Sequence, residues 1–195
     1  MARPGRVLVF CASSRSCDPA YHEAASRLGR ALARAGVGIV YGGGAHGSMG
    51  ALAGGAIEHG GHVHGVLPHF MKDLEWGHEG LARLELVSDM RERKRRMLDA
   101  ADAVVALPGG CGTLEELFEA ITFKRLGLYT GPIVLVNTRG FFAPCVELLE
   151  RCVAERFMSD AHRAMWCVVD EPEDVLPAIE RAPAWSEAAR GFAVS

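Results

Sequence analysis

The chain has 195 residues, of which 49% are hydrophobic and 23% charged, a balance that is typical of one globular domain with a sizeable core. A formal net charge of −3 argues against general binding of nucleic acid. No apolar run reaches the roughly 18 residues that a membrane span requires. The six cysteines form no C-x-x-C pair, so we expect reduced thiols in a cytoplasmic protein. One domain is expected over residues 1–182, followed by a loose tail over residues 183–195.

The most informative stretch is Ala103–Ala120. An apolar run of strand length, Val104–Leu107, is broken by Pro108-Gly109-Gly110 and leads into a segment with helical periodicity. The apolar residues of that segment recur at i, i+3, i+4 and i+7, namely Leu114, Leu117, Phe118 and Ile121. A strand, a glycine turn and a helix start bring unpaired N–H groups and the positive end of the helix dipole to one spot. Such a spot stabilises an anion such as phosphate.

Three carboxylates follow the same turn: Glu115, Glu116 and Glu119. One interpretation is that they complement the helix dipole. The other is that they serve a second part of a phosphorylated ligand whose reaction develops positive charge.

A second strand–glycine loop–helix unit runs from Val37–Tyr41 through Gly42–Gly50. The loop lacks the Gly-Lys-Ser/Thr of a P-loop, so hydrolysis of nucleoside triphosphates is not supported. No acidic residue ends the next strand, so a dinucleotide fingerprint is weak. A tight turn that packs a helix closely on the sheet remains the alternative interpretation.

Apolar strands alternate with helical segments along the whole chain. This pattern predicts an α/β fold, with a doubly wound, mostly parallel sheet covered by helices on both faces. Ligands of such folds bind beyond the carboxyl ends of the strands, near a topological switch point. The loops that leave these ends are Cys11–Ser14, Gly42–Gly50 and Pro108–Thr113. The predicted strands are Arg6–Cys11, Val37–Tyr41, Val63–Leu67, Leu84–Val87, Val104–Leu107, Ile133–Asn137 and Trp166–Val169.

A basic helix is predicted over Asp89–Ala100, with Asp89 as its N-cap. Met90, Arg93, Lys94 and Met97 share one face of it. A charge run of this kind is typical of a solvated helix whose long stems cover apolar surface. Its position directly before the Val104 strand favours a functional role.

Three motifs carry a family resemblance. Pro108–Glu116 matches P-G-G-x-G-T-x-x-E, Met90–Lys94 matches M-x-x-R-K, and Tyr41–Gly50 resembles Y-G-G-G-x-x-G-L-M-G. Over roughly Val7 to Val169 the chain resembles the Lonely Guy family, the cytokinin riboside 5′-monophosphate phosphoribohydrolases, often mislabelled lysine decarboxylases. Two departures concern fine specificity: Ser48 replaces the usual leucine, and Cys111 stands where tyrosine is common in plant members.

The resemblance implies a homodimer, or in some members a hexamer, with sites near the subunit interface and no metal or organic cofactor. It implies hydrolysis of the N-glycosidic bond of AMP or N6-isopentenyl-AMP, which releases the free base and ribose 5-phosphate. Arg93 and Glu116 carry over as catalytic residues. The residues that carry over as substrate-binding are Ser14, Gly43, Gly44, Glu75, Met90, Lys94, Gly109, Gly110, Cys111, Gly112, Thr113, Leu114, Glu115 and Thr122.

The residues themselves agree with this chemistry. Cleavage of a ribosyl C–N bond builds an oxocarbenium-like cation, which the carboxylate of Glu116 would stabilise while it orients or deprotonates water. Arg93 suits phosphate or carboxylate better than proton donation. The sequence leaves three roles open for Arg93: holding Glu116, holding the phosphate, or assisting departure of the base.

Three other functions remain as alternatives. A pyridoxal phosphate decarboxylase needs a Schiff-base lysine, and none of Lys72, Lys94 and Lys124 lies in such a setting. A non-catalytic nucleotide or molybdenum cofactor carrier of the same fold would keep the glycine loops without needing Arg93 and Glu116 together. A metal site is a third idea, because four histidines cluster in sequence, but no carboxylate or cysteine stands at matching spacing. These histidines are His59, His62, His64 and His69.

Overall fold

The computed structural model describes residues 3–72, 77–78 and 80–192 of the chain. Within these residues, seven strands form one sheet in which every neighbouring pair is parallel. The strands are β1 (Arg6–Phe10), β2 (Gly38–Tyr41), β3 (Val63–Pro68), β4 (Arg83–Val87), β5 (Ala103–Ala106), β6 (Ile133–Val136) and β7 (Cys167–Val169).

Helices connect the strands and cover both faces of the sheet. The α-helices are α1 (Pro19–Arg34), α2 (Gly47–Ile57), α3 (Met90–Asp99), α4 (Cys111–Arg125), α5 (Ala143–Ala154) and α6 (Val175–Arg181). Short 3-10 helices span His69–Met71, Thr138–Gly140, Asp160–Met165, Pro172–Asp174 and Glu187–Phe192. No helix in the described part of the chain is both long and apolar enough to cross a membrane.

The strand order is β4-β3-β2-β1-β5-β6-β7. The chain therefore builds outward from β1 to β4, returns to place β5 beside β1, and continues outward in the opposite direction. This confirms the predicted doubly wound fold and puts the switch point between β1 and β5, where Phe10 pairs with Ala106. The loops after these two strands diverge, which leaves a crevice suited to a ligand.

Each face of the sheet has its own core. Because side chains alternate along a strand, Val7 and Val9 of β1 pack with α1, α2 and α6, whereas Leu8 and Phe10 pack with α3, α4 and α5. All four residues of β5 and of β6 are buried. Burial on both faces of the sheet therefore explains why these strands are apolar throughout.

The observed elements lie within a few residues of the predicted ones. Asp89 caps α3 as predicted, accepting hydrogen bonds from the amides of Arg91 and Glu92. The segment after Pro183, predicted to be loose, is docked where the structure describes it: the indole N–H of Trp185 donates to the Lys124 carbonyl at 2.7 Å. A single tryptophan among small residues that are polar only in part gives no periodic pattern, so the sequence did not indicate this contact.

The first two helices approach each other backbone to backbone through glycines. A Cβ placed on Gly29 of α1 would lie 2.1 Å from the carbonyl oxygen of Leu52, and one placed on Gly55 of α2 would lie 2.3 Å from that of Ser26. Neither distance is compatible with a side chain. The neighbouring Gly54 has no atom within 4 Å of the corresponding position.

We predict opposite effects for alanine at these adjacent glycines. Gly55→Ala forces α1 and α2 apart and lowers the free energy of unfolding by about 1–3 kcal/mol. Gly54→Ala has room for its methyl group and raises helix propensity, so it is neutral or stabilises by up to about 1 kcal/mol. Urea denaturation of both variants checks this, and equal stabilities would contradict the packing described.

Candidate active site

A cavity of about 320 Å³ lies at the switch point between β1 and β5. Its walls come from the loop after β1, from the start of α4, and from α3. The cavity is lined by Cys11, Ala12, Ser13, Ser14, Met49, Met71, Met90, Arg93, Gly110, Gly112, Thr113, Glu115 and Glu116. Both predicted catalytic residues are therefore brought to one cavity. A second cavity, of about 440 Å³, lies after β6 and β7 and contains none of the predicted site residues.

The start of α4 forms one wall of the cavity. Gly110 is the extended N-cap, and among the described residues no side chain caps this helix end. A Cβ on Gly109 would lie 2.2 Å from Oγ1 of Thr113, so only glycine permits this turn. The first turn holds no acidic residue. The amides that begin α4 thus border the cavity with no carboxylate in their own turn, an arrangement that favours an anion there.

Glu116 lies in the second turn of α4 and borders the cavity, although only 8% of it is exposed. The dipole effect falls off within the first turn of a helix. Dipole complementation therefore does not explain a carboxylate at this position. Its placement fits the other interpretation, a carboxylate directed at a second part of the ligand.

Arg93 of α3 is almost fully buried, with 3% of its surface exposed. Its Nε donates to the Val66 carbonyl at 3.1 Å and its Nη2 to the Gly42 carbonyl at 2.9 Å. Its Nη1 lies against the sulfurs of Met71 and Met90, at 3.8 and 3.7 Å. The guanidinium thus joins β3, and the residue directly after β2, to α3 and presents one edge beside the cavity.

Gly42 leaves the space that the guanidinium of Arg93 occupies. A Cβ at this position would lie 2.2 Å from Nη2 of Arg93. The first glycine of the Gly42–Gly50 loop therefore allows the arginine to reach the backbone carbonyl. This supports the close-packing interpretation for the start of the loop.

Lys94 points to a different partner from Arg93. Its Nζ lies 2.5 Å from Oε1 of Glu115 and 3.0 Å from Oε1 of Glu119. Burial disfavours the charged amine, but the hydrogen bonds with these two carboxylates raise the pKa of Lys94. Lys94 thus ties α3 to α4 and does not itself line the cavity.

Several predicted substrate-binding residues lie outside the cavity lining. Gly43, at φ +83°, packs beside Leu84, and Gly44 forms an isolated bridge with Gly77. Thr122 donates to the Phe118 carbonyl at 2.7 Å on α4. Cys111 is exposed, Leu114 packs against the core, and Gly109 lies in the turn itself. Glu75 lies outside the described residues.

Sequence reasoning missed two residues of the cavity wall, Met49 and Met71. Met49 belongs to the glycine motif, and its amide donates to the Ala12 carbonyl at 3.1 Å, which brings the loop after β1 against α2. Met71 lies in a 3-10 helix directly after β3. That segment has no hydrophobic period, so no local signal placed Met71 at the site.

Lys124 has the lowered pKa expected of a Schiff-base lysine, but it does not line the cavity. It is 1% exposed, and burial lowers its pKa to about 8. Lys124 lies in the last turn of α4, and its Nζ donates to the Gly131 carbonyl at 2.8 Å. Since α4 rises about 1.5 Å per residue over its 15 residues, this amine lies roughly 20 Å from the helix start.

The histidine cluster is dispersed in the structure. Nε2 of His64 lies 3.2 Å from Oε2 of Glu85 on the neighbouring strand. Nδ1 of His59 lies 3.0 Å from the Gly55 carbonyl oxygen of α2. Throughout the part of the chain that the structure describes, no group of three or more histidine, cysteine or acidic side chains is placed to hold a metal ion.

The fold and the cavity together define the class: an α/β domain with a doubly wound parallel sheet, whose switch-point cavity is bordered by a helix start and by a nearly buried carboxylate. A family model described as "Possible lysine decarboxylase" matches residues 49–179. The chain is 40% identical over 181 residues to a cytokinin riboside 5′-monophosphate phosphoribohydrolase of Rhodococcoides fascians, covering 92% of this chain and 91% of that protein. It is 39% identical over 176 residues to the cytokinin riboside 5′-monophosphate phosphoribohydrolase LOG7 of Arabidopsis thaliana, covering 90% and 81%. The chain belongs to the Lonely Guy family, as its motifs indicated.

A solved structure shares the fold at lower identity. The molybdenum cofactor carrier protein of Chlamydomonas reinhardtii superposes with a TM-score of 0.69 at 21% identity, covering 91% of this chain and 96% of that one. Similarity at this level supports the architecture alone.

Replacement of Arg93 by lysine tests the buried guanidinium. A lysine reaches one of the two carbonyls, so Arg93→Lys leaves a buried acceptor unpaired and lowers the free energy of unfolding by about 1–3 kcal/mol. Arg95→Lys, at an exposed position of the same helix, changes it by less than about 0.5 kcal/mol. Chemical denaturation of the two variants measures the difference, and equal losses would argue against the two carbonyl contacts.

The buried amine of Lys124 predicts a pH dependence. Its pKa is lowered in the folded state to about 8 from an ordinary value of 10.5, so between these values the unfolded chain binds more protons. Stability from this group therefore rises with pH through that window. Relative to Lys124→Met, the wild-type protein should gain about 2 kcal/mol of unfolding free energy between pH 7 and pH 9.5. A constant difference across these pH values would contradict a lowered pKa for this amine in the folded state.

Proposed function

We propose that the protein hydrolyses the N-glycosidic bond of adenosine 5′-monophosphates, with or without an N6 substituent. The products are the free adenine or cytokinin base and ribose 5-phosphate. The observation that carries this function is the position of Glu116: a nearly buried carboxylate that borders the cavity one helical turn beyond an uncapped helix start. The names of the relatives at about 40% identity describe the same reaction.

The 5′-phosphate binds at the start of α4. Gly110, Gly112 and Thr113 border the cavity there, and their amides supply N–H groups together with the positive end of the dipole. The phosphate does not react. Its binding energy orients the ribose against the catalytic carboxylate, which lowers the entropic part of the barrier.

Glu116 acts on the sugar. Thr113 and Glu116 are separated by three residues, or about 5 Å along the helix axis, so a single ribose phosphate spans the anion site and the carboxylate. As the C–N bond breaks, positive charge develops on the ribose, and the carboxylate stabilises it. The same group orients the attacking water and accepts its proton.

Arg93 and the methionines shape the opposite wall. Because two of its nitrogens are held by backbone carbonyls, the guanidinium is fixed in direction, and its Nη1 edge beside Met71 and Met90 is the part that meets the substrate. Methionine side chains adapt to an apolar surface of variable shape. They provide the wall against which the base, with or without an N6 tail, is placed.

The proposal includes a homodimer. Thr122 lies three turns along α4 from the anion site and outside the cavity of its own chain. A second subunit is the arrangement in which Thr122 would complete a substrate site. We place the activity in the cytoplasm, where six free cysteines stay reduced, and assign the protein no nucleic acid partner.

Substitution of the central carboxylate tests the function. Glu116→Gln keeps the shape of the side chain but removes its charge, so release of base from AMP and from N6-isopentenyl-AMP falls by at least about a hundredfold. Chromatography of the free base and an assay for ribose 5-phosphate measure the rate of this hydrolysis.

Glu119→Gln is the matched control, one turn further along the same helix, and keeps turnover within a few fold of the wild type. Near-normal turnover in Glu116→Gln would refute the assignment of Glu116. A wild-type protein that binds AMP without releasing base would instead favour a carrier of the same fold.

A further inference from the structure

Tyr41 carries a buried hydroxyl that the proposed reaction does not use. Tyr41 is the last residue of β2, none of its surface is exposed, and its side chain belongs to the core on the α1 and α2 face of the sheet. Its hydroxyl donates to the carbonyl oxygen of Gly44 at 3.2 Å. The ring fills its place in the core without a hydroxyl, and a buried hydroxyl costs free energy unless it is bonded. The bond to Gly44 therefore serves the loop that follows β2.

The bond closes the start of the glycine loop on the strand that precedes it. Gly42 and Gly43 lie between the two bonded residues, and neither has a side chain that packing could hold. The bridge between Gly44 and Gly77 ties the loop to a segment outside the sheet, whereas the hydroxyl of Tyr41 ties it to β2. The hydroxyl thus restricts how far the Gly42 carbonyl can turn.

The carbonyl of Gly42 is one of the two backbone acceptors of Arg93. The other acceptor, Val66, lies within β3 and is paired with Glu85 of β4, so the sheet fixes its position. The strand pairs that β2 makes with β1 and β3 both end at Tyr41, and Gly42 lies beyond them. The position of this second carbonyl therefore depends on the loop and on the bond that closes it.

The guanidinium of Arg93 transmits the position of the Gly42 carbonyl to the cavity. It is planar, so Nη1 turns whenever Nη2 follows its acceptor. Nη2 donates to Gly42 at 2.9 Å, and Nη1 lies 3.8 and 3.7 Å from the sulfurs of Met71 and Met90, which line the cavity. Sulfur is a weak acceptor, so these two contacts do not set the direction of Nη1. The carbonyls of Gly42 and Val66 set it.

We infer that Tyr41 is a positioning residue for Arg93. Its hydroxyl fixes the loop at Gly44, the fixed loop restrains the Gly42 carbonyl, and this carbonyl orients the guanidinium beside the cavity. Since binding of the 5′-phosphate is assigned to the start of α4 and not to Arg93, loss of this orientation affects the reacting part of the substrate and leaves phosphate binding intact. The orientation of Arg93 is independent of the proposed function, whereas its effect on turnover rests on that function.

The orientation of Arg93 is tested by NMR of its side-chain nitrogens. Spectra of protein with isotope-labelled arginine are compared for the wild type and Tyr41→Phe, and the Arg93 signals are identified by their absence from Arg93→Lys. The two hydrogen bonds slow the rotation of the guanidinium, so the wild type shows separate Nη1 and Nη2 signals. We expect Tyr41→Phe to merge or broaden them.

Tyr129→Phe is the matched control for this experiment. It also removes a buried hydroxyl, but one without a hydrogen-bond partner among the described residues, and it leaves the Arg93 signals unchanged. Unchanged Arg93 signals in Tyr41→Phe, or a single averaged signal in the wild type, would overturn the inference.

The effect on the active site is tested by the hydrolysis of AMP, measured per folded protein. Tyr41→Phe lowers kcat about tenfold and keeps KM within about twofold of the wild type, whereas Tyr129→Phe changes neither. A purely structural role would lower the stability of Tyr41→Phe without this split between kcat and KM. A wild-type kcat in Tyr41→Phe, or a rise in KM at constant kcat, would overturn the inference. A wild-type protein that releases no base contradicts the proposed function, and the Arg93 signals then decide the inference alone.

Discussion

The reversal of strand order between β1 and β5 is the constraint on which the rest of this structure depends. In a parallel sheet the chain leaves every strand at the same edge, and neighbouring loops normally turn the same way. Here the loop after β1 leads to α1 on one face, while the turn after β5 leads to α4 on the other. The two diverge, and the space between them is the cavity that Glu116 borders.

Contacts that stabilise the fold also build the site. The guanidinium of Arg93 donates to two backbone carbonyls, one within β3 and one directly after β2, and glycine at position 42 allows it to approach. The glycine at position 109 lets the turn close on Thr113 in the same way. Since both hydrogen bonds of Arg93 are made to backbone, a small change in this side chain moves the cavity walls themselves. An almost buried arginine is costly unless its donors are paired, and here two of its nitrogens meet carbonyl oxygens.

Much of this arrangement was predictable because it depends on local patterns. Short apolar runs predicted the seven strands, and the glycine turn over Pro108–Thr113 predicted the start of the helix that follows. The helical spacing of Met90, Arg93 and Lys94 placed them on one face, but it did not separate their partners: Arg93 turns to backbone carbonyls, and Lys94 turns to carboxylates of α4.

What the sequence did not reveal depends on contacts between distant segments. Met71 reaches the cavity because its 3-10 helix follows β3, which lies two strands from β1. Trp185 docks on the last turn of α4 through one indole N–H. Such contacts are set by tertiary packing, which overrides local preference.

A crystal structure of Glu116→Gln with AMP bound would test the position of the substrate between the start of α4 and residue 116. We predict that the phosphate oxygens accept hydrogen bonds from the amides at the start of α4 and that the glycosidic carbon of the ribose lies against residue 116. A phosphate bound instead at Arg27 in the larger cavity after β6 and β7, or a glycosidic bond directed away from residue 116, would contradict the role of Glu116.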